Sequence, residues 1–411
     1  MIERSHVFLA ATFLSTFGDI LAVTAIPFGV GVETGRIEFT IIFWLVPALA
    51  VLAASFFGKR IGSRSGRARA DYARLLMAIA VMEIVISLSS MLFRDRSSTL
   101  LICILFVALY AFAKEGIPRI LYQVAVYRYF VEAEEYSKLA GRKAGLDIVA
   151  ALGAVLTASA VVAAGTWRYV LLFDALTFVV LSLTILRLGR DPRPAAPAKS
   201  DSPAASSAVK ALRPALVAVL VAVPLFHGVN AAFVNYLPLV NEKLAVMAAT
   251  TSLTLLAVLR APGMLLGLFF DRIRKWVAPR VWAVALPTAY VVAAGSYLAL
   301  PNAWSVYALL LLGGLNVGVF SPADATIRNS IPSEHLVGFN VIVLRWLGVF
   351  QALSCAGAML VFSAGDLDLR WLGVLVAASV VGALLLPAVH SRHPLLRRPQ
   401  AGAQPSVEVS T

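Results

Sequence analysis

The sequence has few charged residues for its length. Of its 411 residues, 14% are Asp, Glu, Lys or Arg and 60% are hydrophobic. A soluble globular domain carries about 25% charged and about 45–50% apolar residues. The charges present cannot cover a soluble surface of this size, which argues against a cytosolic enzyme, a secreted disulfide scaffold and a disordered regulator. The composition predicts an integral membrane protein.

Residue types that support redox, metal or nucleotide chemistry are also scarce. The two cysteines, Cys103 and Cys355, lie in apolar stretches, and we expect them to be small buried residues. The five histidines are scattered without metal-ligand spacing, and no glycine-rich loop ends in the Lys-Ser/Thr of a phosphate site. We therefore predict no cofactor, no metal site and no enzyme active site. Any transport would be driven by an ion gradient or by the gradient of the substrate itself.

Long apolar stretches recur along the whole chain. A membrane-spanning helix needs about 20 predominantly apolar residues. The predicted fold is an all-α integral membrane protein with twelve transmembrane helices, the first of which is too long for a cleavable signal peptide. The twelve predicted spans are 7–32, 37–57, 73–93, 98–119, 144–165, 167–188, 212–238, 250–271, 279–300, 303–322, 337–363 and 370–390.

A polar segment divides these spans into six and six. Residues 189–211 are rich in Pro, Ala, Ser and charged residues, which is typical of a flexible linker. We predict an N-terminal bundle over 1–188, a C-terminal bundle over 212–392 and a disordered cytoplasmic tail over 393–411.

The two predicted bundles share features at similar positions. Pro118 and Pro322 lie 204 residues apart, each late in the fourth span of its half. The tetrapeptides that begin at Gly153 and Gly357 are also 204 residues apart, in the fifth span of each half. Such internal similarity predicts a duplicated, pseudo-symmetric arrangement.

The distribution of basic residues predicts the orientation. With both termini in the cytoplasm, 27 of the 35 Lys and Arg residues fall in cytoplasmic segments and six fall in external ones. This bias follows the positive-inside rule and explains the net charge of +13 without a nucleic-acid partner. The abundance of Arg over Lys, together with much Ala, favours a GC-rich bacterial genome and therefore an inner-membrane location.

The chain resembles the major facilitator superfamily in its cytoplasmic loops. That family carries a Gly-x-x-x-Asp-Arg-x-Gly-Arg-Arg signature after its second helix and often a second copy after the eighth. Here residues 267–275 read GLFFDRIRK, whereas residues 58–67 read GKRIGSRSGR, with Gly62 where the acid is expected. The resemblance implies twelve helices in two halves and a cytoplasmic gate. The gating residues it implies are Gly58, Arg64, Arg67, Gly267, Asp271 and Arg272, with most weight on Asp271 and Arg272.

Local features are similar to the drug and metabolite efflux branch of that family. The first span contains a Ser-x-x-Gly-Asp pattern from Ser15 to Asp19, the second contains Pro47, and the tenth ends in Ser321-Pro322. The resemblance places the first helix of each triplet along a central cavity. It therefore implies that Asp19 lies at a proton or cation site.

Acids within the spans are the most informative polar residues. A charged residue in the middle of a bilayer costs about 2.5–3.5 kcal/mol on insertion scales, so such residues usually face the protein interior. Asp19 lies mid-span and either carries protons or holds its helix against Asp147 of the fifth span. Glu83 lies near the membrane midplane without a nearby basic residue, so it either carries protons or is a neutral hydrogen-bonded acid. Asp147 and Asp174 are expected to hold helices together.

Further polar residues are candidates for the substrate cavity. Each could contact a ligand or, alternatively, satisfy a structural hydrogen bond or extend to the interface. Arg260 lies near mid-depth and needs a carboxylate, water or an anionic substrate as its partner. The cavity candidates are Lys114, Glu115, His227, Asn230, Arg260 and Asn316.

These patterns predict a proton-coupled secondary transporter that exports a small organic molecule by alternating access, in a bilayer and as a monomer. Three alternatives remain open. The first is uptake of a metabolite or siderophore-type compound, the second is movement of lysophospholipid or lipid, and the third is a receptor or scaffold without net flux.

Overall fold

The structure is a computed structural model, and its helices account for nearly all the residues it describes. The described residues are 4–34, 37–62, 68–92, 130, 136–189, 237–238, 240–242, 244–266, 288–290, 292–297, 299–315 and 333–363. All regular secondary structure in these ranges is helical, as the composition predicts.

Seven long helices and one shorter one correspond to predicted spans in the described part of the chain. They match predicted spans 1, 2, 3, 5, 6, 8, 10 and 11, and a 3-10 turn, Trp167–Tyr169, joins the fourth to the fifth. Spans 4 and 12 and nearly all of span 7 lie outside the described residues. The helices are α1 Arg4–Thr34, α2 Ile37–Gly62, α3 Ala68–Leu92, α4 Tyr136–Ala163, α5 Val170–Leu188, α6 Ala249–Leu266, α7 Ala303–Leu315 and α8 Ser333–Ser363.

Several of these helices are long and apolar enough to cross a membrane. Within the described ranges, four stretches meet both criteria: Arg4–Glu33, Arg69–Leu92, Gly145–Ala163 and Trp167–Leu188. Shorter apolar helices run over Ile41–Phe56, Ala303–Leu315 and Val341–Gly357. Large apolar side chains such as Phe56, Val85 and Leu92 are exposed. An apolar outer surface suits helices that are surrounded by lipid.

Small residues allow the helices to approach one another closely. Ala25, Ala54, Ala80 and Ala154 are fully or almost fully buried at helix contacts in the described core. Because lipid chains are as apolar as Leu, helices in a membrane associate through close packing and interhelical hydrogen bonds. The abundance of Ala in these spans therefore favours tight helix contacts.

Helix α1 packs against both α4 and α5, while α3 packs against α5. At one end of this group, Arg69 donates hydrogen bonds to the carbonyl oxygens of Leu186, at 3.0 Å, and Gly189, at 2.6 Å. At the other end, Arg168 forms an ion pair with Glu33 at 2.7 Å. The distribution of basic residues predicts which helix ends lie on the same side of the membrane. The helix ends in each of these two contacts belong to the same predicted side.

Two contacts join helices from opposite sides of the predicted central linker. Helix α2 packs along α8, where Gly348 lies against the backbone of Ala48 and Leu52. Helix α4 packs against α6, where Ser159 donates to the carbonyl oxygen of Thr250 at 3.1 Å. The second contact involves α6, the helix that carries Arg260.

Candidate functional site

Two buried carboxyl groups lie within the packed group of α1, α3 and α5. Glu83 of α3 and Asp174 of α5 both have 0% exposed surface. Asp174 lies against α1 at Gly18, where an added Cβ would be 2.6 Å from Asp174 Oδ1. The absence of a side chain at Gly18 makes room for the Asp174 carboxyl group.

The local sequence explains how the two acids are buried. The side chains of Ile79 and Ala80 on α3 are buried one turn before Glu83, and that of Ser87 is buried one turn after it. On α5, Thr177 is three residues after Asp174, and its hydroxyl group donates to the Asp174 carbonyl oxygen at 2.7 Å. The same hydroxyl lies 3.2 Å from Asp174 Oδ1. A buried face of α3 therefore carries Glu83, and a buried face of α5 carries Asp174.

The surroundings of Glu83 contain no compensating donor among the described residues. Neither Oε1 nor Oε2 of Glu83 accepts a hydrogen bond from an N–H or hydroxyl group there. The two interpretations of Glu83 from the sequence, a proton carrier and a neutral acid on a helix face, both stay predictions.

A second polar cluster lies between α1 and α4. Asp147 forms an ion pair with Lys143, and the hydroxyl group of Thr16 donates to Asp147 Oδ1 at 3.0 Å. These contacts confirm that Asp147 holds helices together, with Thr16 as its partner on α1. Asp19 lies one turn after Thr16, so the two share a helix face, and its side chain is half-buried.

Arg260 lies where α6 and α7 cross. Its side chain is half-buried, and its Nε has no hydrogen-bond acceptor among the described residues. An added Cβ at Gly314 of α7 would lie 2.5 Å from the Arg260 carbonyl oxygen. The absence of a side chain at Gly314 thus lets the backbones of α6 and α7 come into contact at Arg260.

A buried hydrogen-bond network in the C-terminal half escaped the sequence reasoning. Asn241 donates to Ser252 Oγ at 2.6 Å and accepts from the Tyr297 hydroxyl group at 2.8 Å. All three side chains are buried. Uncharged polar residues are common in membrane helices, so nothing in the sequence alone distinguishes these three from others.

Many of the predicted site residues lie outside the described residues. Gly58 belongs to the backbone of α2 near its end. The candidates outside the described residues are Arg64, Arg67, Lys114, Glu115, His227, Asn230, Gly267, Asp271, Arg272 and Asn316. The structure therefore describes three of the predicted proton and cavity candidates: Asp19, Glu83 and Arg260.

A family match decides the class of the protein. Residues 8–361 match the Major Facilitator Superfamily. The chain belongs to this superfamily. It is therefore a transporter rather than an enzyme, as the lack of a catalytic constellation in the sequence predicts. No curated protein sequence is significantly similar to it.

Solved structures of transporters share the fold of this superfamily member. A bacterial homologue of the iron transporter ferroportin, in an outward-facing state with soaked iron, has a TM-score of 0.62 at 17% identity, over 94% of this chain and 98% of that chain. The nucleoside transporter NupG has a TM-score of 0.62 at 12% identity, over 94% and 99%. The D-xylose-proton symporter has a TM-score of 0.62 at 13% identity, over 93% and 96%. At these identities the similarity concerns the fold.

Proposed function

We propose that the protein is a proton-coupled secondary transporter that exports a small organic molecule by alternating access. Its family membership supports transport, and the efflux-like pattern from Ser15 to Asp19 supports the direction. In this proposal, residues 1–188 and 212–392 form two six-helix bundles joined by a cytoplasmic linker. The protein would work as a monomer in a bacterial inner membrane, with both termini in the cytoplasm.

The observation that carries the proposal is the burial of Glu83. A carboxyl group within an apolar span is costly to insert, and such groups in membrane proteins commonly serve ion pathways and proton relays. Glu83 has 0% exposed surface, and among the described residues neither of its carboxylate oxygens meets a hydrogen-bond donor or a basic side chain that would hold it permanently ionised. A proton that enters from outside would neutralise this site, and its release to the cytoplasm would restore the charge.

Asp19 is the second proton candidate and differs from Glu83 in its setting. It lies on α1 next to Gly18 and is half-buried, so it is closer to a solvated or ligand-filled space than Glu83 is. In the proposed mechanism, Asp19 accepts the proton at the cavity, and protonation of the buried acids changes how α1 packs in the N-terminal bundle. This change favours one of the two alternating conformations.

The presence of Arg260 favours a substrate that is negatively charged or zwitterionic. An arginine remains charged, so a guanidinium at mid-depth favours a carboxylate or phosphate-like group nearby. Its Nε is buried without an acceptor among the described residues. We propose that Arg260 contacts the substrate, together with the cavity candidates Lys114, Glu115, His227, Asn230 and Asn316.

Cargo and direction can be identified together. We expect a deletion strain to accumulate a compound inside the cell that disappears from its medium, as measured by paired metabolomics of cells and medium. Expression of the intact gene should reverse both changes. A compound that is left unused in the medium and depleted inside would instead show uptake and overturn export.

The proton dependence is tested with the cargo identified in this way. In proteoliposomes, we expect Glu83→Gln and Asp19→Asn each to abolish transport driven by a pH gradient, because an amide cannot bind and release a proton. Exchange of labelled for unlabelled cargo, which needs no net proton movement, should persist in Glu83→Gln. Glu33→Gln, which changes an acid in the partly exposed pair with Arg168, is the matched control and should transport normally. Full pH-driven transport in both Glu83→Gln and Asp19→Asn would contradict proton coupling through these acids.

A further inference from the structure

Asn241 joins three parts of the chain at the start of α6, and its side chain has 0% exposed surface. Its side-chain amide donates to Ser252 Oγ on α6 at 2.6 Å and accepts from the Tyr297 hydroxyl group at 2.8 Å. Its backbone carbonyl oxygen accepts a hydrogen bond from the N–H group of Val246 at 2.8 Å. One buried residue therefore binds the turn that leads into α6, α6 itself and the helical segment that contains Tyr297.

The turn between Asn241 and α6 is held in an unfavourable backbone conformation. Ala245 has a φ of 55°, in the left-handed region that residues with a side chain rarely adopt. Such a conformation persists only where the surrounding contacts hold it. The hydrogen bond from Val246 to the Asn241 carbonyl oxygen spans this position. The connection before α6 is therefore fixed by the same residue that binds α6.

The first two turns of α6 present opposite faces to the two halves of the chain. On one face, Ser159 of α4 donates to the carbonyl oxygen of Thr250 at 3.1 Å and lies 2.8 Å from Thr254 Oγ1. Ser252 lies on the other side of the helix from Thr254, because two residues correspond to a rotation of about 200°. Helix α6 is therefore attached to α4 on one face and to Asn241 on the opposite face.

The two attachments differ in what their separation would leave behind. The Thr254 hydroxyl group lies 3.0 Å from the Thr250 carbonyl oxygen, so it keeps an acceptor on its own helix when α4 moves away. Asn241 and its partners Ser252 and Tyr297 are all buried and lie on separate elements. Their separation would deprive a buried amide of these hydrogen bonds, which is costly in a protein core. The face toward α4 is therefore the one that can separate.

We propose that Asn241 is a positioning residue that keeps the first two turns of α6 fixed to the C-terminal helices, so that α6 moves with them when it separates from α4. The movement rests on the proposed function, because alternating access requires the two halves to separate at one end. The attachment itself is a property of the folded chain and is independent of any substrate. Since Arg260 also lies on α6, the same attachment determines which half carries the arginine.

Distances between spin labels on the full-length protein in lipid nanodiscs test this proposal. In a protein whose two native cysteines are replaced by alanine, labels are attached at exposed sites by Thr251→Cys together with either Val292→Cys or Ala160→Cys. The first pair measures α6 against the segment that contains Tyr297, and the second measures α6 against α4. Double electron–electron resonance gives both distance distributions at acidic and alkaline pH. We expect one narrow population for the first pair at both pH values, and two populations for the second pair whose proportions change with pH.

Variants of the network show whether Asn241 is responsible for the attachment. Asn241→Leu keeps a similar size but cannot donate or accept, whereas Tyr297→Phe removes a single hydroxyl group. Both should lose the narrow Thr251–Val292 population, and the loss should be larger in Asn241→Leu. Ser296→Ala is the matched control, because this exposed hydroxyl group donates to the Val292 carbonyl oxygen of its own helix at 2.8 Å. It should keep the wild-type distribution.

Two results would overturn the proposal. The first is a second Thr251–Val292 population in the wild-type protein, which would mean that the start of α6 leaves its own half; this measurement requires no network variant to fold. The second is a wild-type distribution in Asn241→Leu and Tyr297→Phe, even if both unfold at a lower temperature, because the network would then contribute stability without positioning α6. If these variants broadened the first distribution but the Thr251–Ala160 distance had one population at every pH, the positioning role would stand and opening between α4 and α6 would fail.

Discussion

Gly18 is the residue at which Asp174 of α5 lies against α1. An added Cβ there would lie 2.6 Å from Asp174 Oδ1 and 2.9 Å from Thr177 Oγ1. Both atoms belong to buried side chains on α5, which cannot move outward without a change in helix packing. The room for the Asp174 carboxyl group therefore depends on a residue that has no side chain.

We expect Gly18→Ala to destabilise the protein by about 1–3 kcal/mol, the usual cost of overpacking a filled core. Gly295→Ala is the matched control, because Gly295 is also helical but has nothing within 4 Å of an added Cβ. It should be neutral or stabilise by up to about 1 kcal/mol through helix propensity. Thermal unfolding in detergent measures both changes. Equal unfolding temperatures for the two variants would contradict the close contact at Gly18.

The sequence shows which single acids lie in apolar spans, but it does not show which residues they contact. Glu83 can be recognised from the sequence alone, because a charged residue within an apolar span is costly to insert into a membrane. Asp174, the other fully buried acid of the described helices, lies 91 positions later, and only the packing of α3 on α5 brings these two helices together. Asp147 and Asp174 look alike in sequence, but Asp147 is half-buried and pairs with Lys143, whereas Asp174 has no exposed surface. Residue type alone cannot distinguish these two environments.

Helices α6 and α7 cross through a pair of glycines. An added Cβ at Gly263 would collide with the backbone of Gly314 and Leu315, and one at Gly314 would lie 2.6 Å from the Arg260 Cα atom. Such close crossings are typical of membrane helices with small residues at the interface. The crossing lies at Arg260 and therefore fixes the position of its backbone relative to α7.

We expect Gly314→Ala to force α6 and α7 apart, because the colliding atoms are backbone atoms that cannot rotate away. The cost should be at least that of ordinary overpacking, about 1–3 kcal/mol, measured as a lower unfolding temperature. Gly357→Ala on α8 is the control, since an added Cβ there meets nothing within 4 Å. If Gly314→Ala unfolded at the same temperature as Gly357→Ala, the glycine-mediated crossing would be wrong.

The apolar pattern predicts elements well and contacts between them poorly. The described helices agree with eight of the predicted spans, because about 20 apolar residues are both necessary for a span and easy to find. Helix ends are less well predicted: α8 begins at Ser333 and α4 at Tyr136, each before the apolar stretch. Outside the hydrocarbon region a helix can continue through polar residues, so hydropathy does not mark where it ends.

Contacts between the two halves of the molecule lie at opposite ends of its helices. Near the end of α2, Arg345 of α8 lies over the Phe56 ring at 4.5 Å, and its Nε is 3.5 Å from Ser55 Oγ. Near the end of α4, Ser159 shares a 2.8 Å hydrogen bond with Thr254 of α6. The ion pair between Glu33 and Arg168 places the ends of α1 and α4 together, so α2, which returns from α1, ends on the opposite side. A transporter that opens alternately at its two ends would separate one of these contacts while keeping the other.

We therefore expect a covalent link across the α4–α6 contact to stop transport. In a protein whose Cys103 and Cys355 are replaced by alanine, Ser159→Cys and Thr254→Cys place two thiols where the hydroxyl oxygens are 2.8 Å apart, and oxidation should join them. Net transport of the identified cargo should cease on oxidation and return on reduction, because the end at which α4 and α6 meet can no longer open. Either cysteine alone should transport before and after oxidation, which controls for damage by the oxidant. Undiminished transport by the fully cross-linked protein would show that this contact does not separate during the cycle, and the two halves would then have to exchange access without opening between α4 and α6.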